Sequence, residues 1–152
     1  MSENADLIKL YSARILALAS DIPHHARLDQ PLASVKRRSP LCGSTVTVDL
    51  DMVDGRVARF GQDVKACALG QAAAAILGRV VLGRTAAELA KARDQLRAML
   101  TADGPVPDAP FDGFEVLLPA RDYRNRHASI LLALDAAAEA SASVAAPKAN
   151  GG

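Results

Sequence analysis

SPLCGSTVTVDLDMVDGRVARFGQDVKACALGQ, residues 39–71, holds both cysteines of the 152-residue chain and its clearest two-strand signal. From Thr45 to Val53 the residues alternate, with Val46, Val48, Leu50 and Met52 on one face and Thr45, Thr47, Asp49 and Asp51 on the other. That is the pattern of a half-buried strand. Asp54-Gly55 follows, a pair that tolerates the positive φ of a two-residue hairpin turn, so Arg56 to Val64 is predicted to return antiparallel. Cys42 then stands just before the first strand and Cys67 just after the second, and the hairpin brings two residues that are distant in sequence to one end of the sheet.

Beyond Cys67, ACALGQAAAAILGRVV loses the period of two and has the make-up of a buried helix. This puts Cys67 at a helix N-terminus, where unpaired N–H groups and the positive end of the macrodipole favour the metal-binding thiolate.

Working outward, Leu7, Tyr11, Ile15 and Leu18 form one apolar stripe, which predicts a helix from Asp6 to about Ser20, ended by Asp21-Ile22-Pro23. His24-His25 and the basic run Lys36-Arg37-Arg38 read as parts of one solvated loop. Gly83 stops the Cys67 helix, and Thr85 with Glu88 reads as a capping box for a helix reaching about Leu100, with Leu89, Leu96 and Met99 or Leu100 inward. Thr101 to Pro110 is a loop. Phe111 to Leu118 reads as a single helical turn or a packing loop, and the last helix starts near Asp122 and carries Ile130, Leu131, Leu134 and Ala138. From Ser141 the residues SASVAAPKANGG have little to bury, so residues 1–140 are expected to form the domain and 141–152 a disordered tail.

Composition narrows the function classes. Eighteen basic against seventeen acidic residues leave a formal charge of +1, which gives no electrostatic case for nucleic acid, and no stretch has the roughly 18 apolar residues of a membrane span. The expectation is a cytoplasmic protein with no membrane partner. In a reducing compartment its two cysteines are expected to be free, catalytic or metal-bound rather than joined in a structural disulfide. No phosphate loop or nucleophile elbow is present, and neither cysteine can be given a neighbouring base, so no catalytic residue is assigned and the protein is not expected to be an enzyme.

Pro40-Leu41-Cys42-Gly43, then a hairpin, then Cys67 at the start of a small-residue helix resembles the scaffold proteins of iron–sulfur cluster assembly, the NifU/IscU/SufU-type family. The likeness runs from about Leu7 to about Ala140. It implies an α+β fold, a small antiparallel sheet of two or three strands packed on one face by about four helices. Function and partners follow from the same likeness: a scaffold or sulfur-relay protein that binds iron, zinc or a labile iron–sulfur cluster, served by a cysteine desulfurase and by iron–sulfur acceptor proteins. The family's motif residues fall on Cys42 and Cys67, with Ser44 where the family has Asp. The third motif is matched by Arg126-His127-Ala128-Ser129-Ile130-Leu131 without its cysteine, which aligns with Ala128 on one reading and Ser129 on the other. The expected ligands are therefore Cys42, Cys67 and His127, with Ser44 or water at an open fourth position. The lost Asp and Cys favour a second reading, a degenerate member serving as a zinc-binding interaction or regulatory module without assembly activity, while the two thiols retained at the motif positions favour the first.

Overall fold

The computed structural model describes residues 11–40 and 43–145. Its elements in order are α1 (Ala13–Ala19), β1 (Ala33–Arg38), β2 (Thr45–Val53), β3 (Arg56–Lys65), α2 (Ala68–Val80), α3 (Ala86–Thr101), a 3-10 segment (Phe111–Asp122) and α4 (Arg124–Ala145). The strands form one antiparallel sheet in the order β1-β2-β3, so the fold is the α+β arrangement that the resemblance implied. Asp54 and Gly55 take φ of 54° and 79°, the two left-handed residues of a hairpin turn whose twist matches that of its strands. Val46, Val48, Leu50, Val57, Phe60 and Val64 turn inward, and α4 packs across β1 and β2 on that face with α2 beside it.

Two parts of the sequence reading change. Lys36-Arg37-Arg38 is not loop but the end of β1, an edge strand with Val35 paired to Val48 and Arg38 to Thr45. Charges on an edge strand block pairing with other chains and also hide the alternation that would reveal the strand. The other change is at the C-terminus. The expected boundary at Ala140 falls inside α4, which continues to Ala145, with Ser141 buried and its hydroxyl donating to the Ala138 carbonyl at 3.1 Å. Residues 146–152 lie outside the described residues. At the other end, α1 begins at Ala13, capped by Ser12, and the predicted start at Asp6 with Leu7 lies outside the described residues.

The capping box forms as expected, Thr85 Oγ1 accepting from Glu88 N at 3.1 Å and Glu88 accepting from Thr85 N at 2.9 Å. Phe111, Phe114, Leu117 and Ala120 are all buried, and their spacing of three is the repeat of a 3-10 helix.

The second face of the sheet is covered as well. Residues 24–32 cross it, so that Thr47 and Asp49 are buried although they alternate with the core positions. The fully buried Asp49 side chain takes Arg27 Nε at 2.6 Å, Arg27 Nη2 at 3.2 Å and the Leu28 N–H at 3.0 Å. Burial pushes the Asp49 carboxyl up, but the hydrogen bonds from Arg27, Ser34 and Leu28 outweigh it and hold the group below the usual carboxylate range. A depressed folded pKa means that this stabilisation is complete above the unfolded value of about 3.9 and is lost as pH falls through the lower folded one. Asp49→Ala is expected to cost about 2 kcal/mol at pH 7, the scale of hydrogen bonds to a charged group. Urea denaturation at pH 7 and pH 3 checks this: the variant should sit closer to wild type at pH 3, and an equal gap at both would remove Asp49 as the cause.

Candidate functional site

The strand register fixes one end of the sheet. Arg38, Thr45 and Lys65 are cross-strand partners in its last row, and beyond that row the chain reaches Ser44 on one side and Cys67 on the other. The link from β1 to β2 is closed by Ser39 N–H donating to the Ser44 carbonyl at 2.8 Å and Gly43 N–H to the Ser39 carbonyl at 3.0 Å, with Gly43 at φ 73°. Cys42 belongs to this link by sequence and lies outside the described residues.

Cys67 is the N-cap of α2, and its side chain does not cap the helix. Its Sγ instead lies 3.4 Å from Ser129 Oγ, and Ser129 Oγ donates to Ser44 Oγ at 3.2 Å. Ser44 and Ser129 are buried while Cys67 is half-exposed, so Cys67 is the residue of this trio that reaches solvent. What brings the trio together is the close crossing of α2 and α4. Gly70 is the crossing point, because a Cβ there would lie 2.6 Å from Ser129 Oγ and 3.1 Å from the Ser129 carbonyl.

The geometry picks out Ser129, not Ala128, as the last-helix residue that meets Cys67. Sequence offered both, and helix phase decides between them. His127, two positions before Ser129, is turned by about 200° around α4, onto another face. Its Nε2 contacts the Ala120 carbonyl at 2.9 Å and the Arg121 carbonyl at 3.1 Å. Carbonyls only accept, so Nε2 carries the proton and donates. The imidazole thereby ties the start of α4 to the end of the 3-10 segment. Among the described residues no group of three His, Cys, Asp or Glu side chains could hold a metal ion. His24 and His25 are exposed, but each has a structural contact, His24 edge-on to Phe60 and His25 Nε2 accepting from Val64 N–H at 3.3 Å.

Cys67, Ser129 and Ser44 thus offer one soft donor and two neutral hydroxyls. Hydroxyls are weak ligands for zinc and iron compared with thiolates. No helix among the described residues is long and apolar enough to cross a membrane.

No protein-family model and no curated protein matches the chain. Solved structures do. A nitrogen-fixing NifU-like protein (N-terminal) from Brucella abortus is 43% identical, covers 93% of this chain and 99% of its own, and superposes with a TM-score of 0.88. A protein described as an iron–sulfur cluster assembly scaffold for the SUF system, from Fervidobacterium islandicum, has a TM-score of 0.78 at 17% identity, with 88% of this chain and 97% of that one covered. A hypothetical protein has 0.74 at 20%, with the same coverage, and these two show the shared fold alone. At 43% identity over 93% of the chain, with a TM-score of 0.88, the chain belongs to the NifU-like N-terminal domain family.

Proposed function

We propose that this protein is a component of iron–sulfur cluster assembly that takes up its cargo on two thiols, Cys42 and Cys67, without turnover of its own. The observation that carries the reading is the half-exposed Cys67, set at a helix N-terminus with its Sγ against the buried Ser129 hydroxyl, which in turn donates to Ser44. The NifU-like relative supports the pathway, and the donor set supports transient holding of iron, zinc or sulfur rather than storage. In sulfur uptake, the Cys67 thiolate would attack the outer sulfur of a persulfide on a cysteine desulfurase. The donor's S–S bond breaks, its cysteine leaves as thiolate, and a new S–S bond forms on Cys67 with no net oxidation. Passing that sulfur to an acceptor protein is the reverse exchange.

The test is metal and acid-labile sulfide analysis after anaerobic reconstitution with ferrous iron and sulfide, and in parallel with zinc. Cys42→Ser and Cys67→Ser should each lower metal content at least tenfold, and His127→Ala should lower the melting temperature but leave metal content unchanged. Wild-type metal content in both cysteine variants would overturn the two-thiol site. Zinc bound with no sulfide under any loading would favour instead the reading of a zinc-holding interaction module, which Ser44 and Ser129 in place of stronger donors make the second choice.

A further inference from the structure

The run Lys36-Arg37-Arg38 is divided by the strand into two kinds of charge. Arg37 points toward α4 and is engaged by Glu139 at 2.8 Å. Lys36 and Arg38 point to the opposite face, and the register sets Lys65 of β3 beside them, with Arg38, Thr45 and Lys65 in one row and Lys36, Thr47 and Asp63 in the next. Lys36, Arg38 and Lys65 are all exposed, and none makes an ion pair among the described residues. By contrast, Arg93 and Arg97, which line a cleft with Arg37, are paired with Asp94 and Asp135. Three cations without an ion pair among the described residues therefore stand at the end of the sheet, one of them, Lys65, two residues before Cys67, in a chain whose net charge is only +1.

We infer that this face, Lys36, Arg38 and Lys65, is the docking surface for a protein donor that presents a carboxylate-bearing segment and delivers sulfur to Cys67; the inference rests on the function proposed above. Charge complementarity is the argument. Arg38 and Lys65 flank Thr45 on adjacent strands and so stand about 10 Å apart, a separation that two or three carboxylates on one loop can span. Nucleic acid fits less well. A stable complex takes on the order of 6–10 phosphate contacts, and the Asp63 carboxylate interrupts the face in the second row.

Association of the full chain with its cognate cysteine desulfurase, followed by biolayer interferometry from 50 to 300 mM salt, tests the inference. The wild type should bind with an on-rate that falls steeply with salt. Lys36→Glu, Arg38→Glu and Lys65→Glu combined should weaken binding at least tenfold, mostly through the on-rate, and the three Gln replacements should lie between. Arg79→Glu, exposed at the far end of α2, is the matched control and should bind like wild type. Circular dichroism and metal loading should be unchanged in all of them, which separates docking from the two-thiol reading. No binding by the wild type, equal binding by the triple Glu variant, or tighter capture of a 20-nucleotide single strand or of phosphatidylserine vesicles than of the desulfurase would each overturn the assignment.

Discussion

Gly70→Val is expected to cost about 3 kcal/mol and to lower the melting temperature by roughly 10 °C, the upper range for overpacking in a domain of this size. A Cβ alone would sit 2.6 Å from Ser129 Oγ and 2.8 Å from the Ala66 Cβ, and the two further methyls of valine have only α4 to push against. The helices cannot separate cheaply, because Leu69, Ala72 and Ala73 on α2 and Ile130 and Ala133 on α4 are buried around the crossing. Gly70→Ala is more informative about the site. Alanine favours a helix over glycine by about 1 kcal/mol, which offsets part of the clash, so stability should change little while the Cys67–Ser129 contact is lost. Thermal melts of both variants check the pair, and a valine variant melting within 2–3 °C of wild type would mean that the crossing is looser than the 2.6 Å contact allows.

How much of this was legible beforehand follows from what kind of signal each part carries. Local backbone chemistry announces itself: Asp54-Gly55 needs positive φ, Thr85 and Glu88 exchange hydrogen bonds three residues apart, and Cys67 marks the change from period two to helix. Burial by distant segments does not. Thr47 and Asp49 alternate with the core and look solvated until residues 24–32 fold over them. The edge strand β1 is concealed by its own charges, and the 3-10 segment shows a spacing of three, visible in Phe111, Phe114, Leu117 and Ala120, that a search for periods of 2 and 3.6 passes over. The basic face is also invisible in one dimension, since Lys65 joins Lys36 and Arg38 only through the register.

Site residues divide along the same line. Cys67 was placed by its local context, whereas the last-helix partner depended on rotation about α4, which two alignments one residue apart leave undecided. In three dimensions the decision is sharp. One residue is about 100° of helix, so Ser129 meets Cys67 while Ala128 and His127 point elsewhere. The buried Ser129 hydroxyl is itself satisfied there, since it donates to Ser44 Oγ.

Ser129→Cys is accordingly expected to raise affinity for zinc, and retention of an iron–sulfur cluster, by at least tenfold, and by more than any other single substitution. The new Sγ would replace an Oγ already 3.4 Å from Cys67 Sγ, so two sulfurs separated by contact distance would face one point. A third thiolate adds an anionic soft donor where a neutral hydroxyl stood, and loss of even an outer-sphere partner of a metal ligand costs 10–100-fold, so gaining a direct ligand should exceed the lower of those figures. Folding should be little disturbed, because the change replaces one side-chain atom by a larger one opposite Gly70, which carries no side chain. The experiment belongs under anaerobic conditions, since air would join two thiols this close into a disulfide and remove them as ligands. Ala128→Cys is the comparison, half-buried and about 100° around the helix, and it should gain nothing. Zinc titration with a chromophoric competitor and the half-life of the reconstituted cluster's visible absorbance measure both variants. A gain at Ala128 without one at Ser129 would mean that cargo is bound on a different face of α4, and that the hydroxyl trio around Cys67 is packing alone.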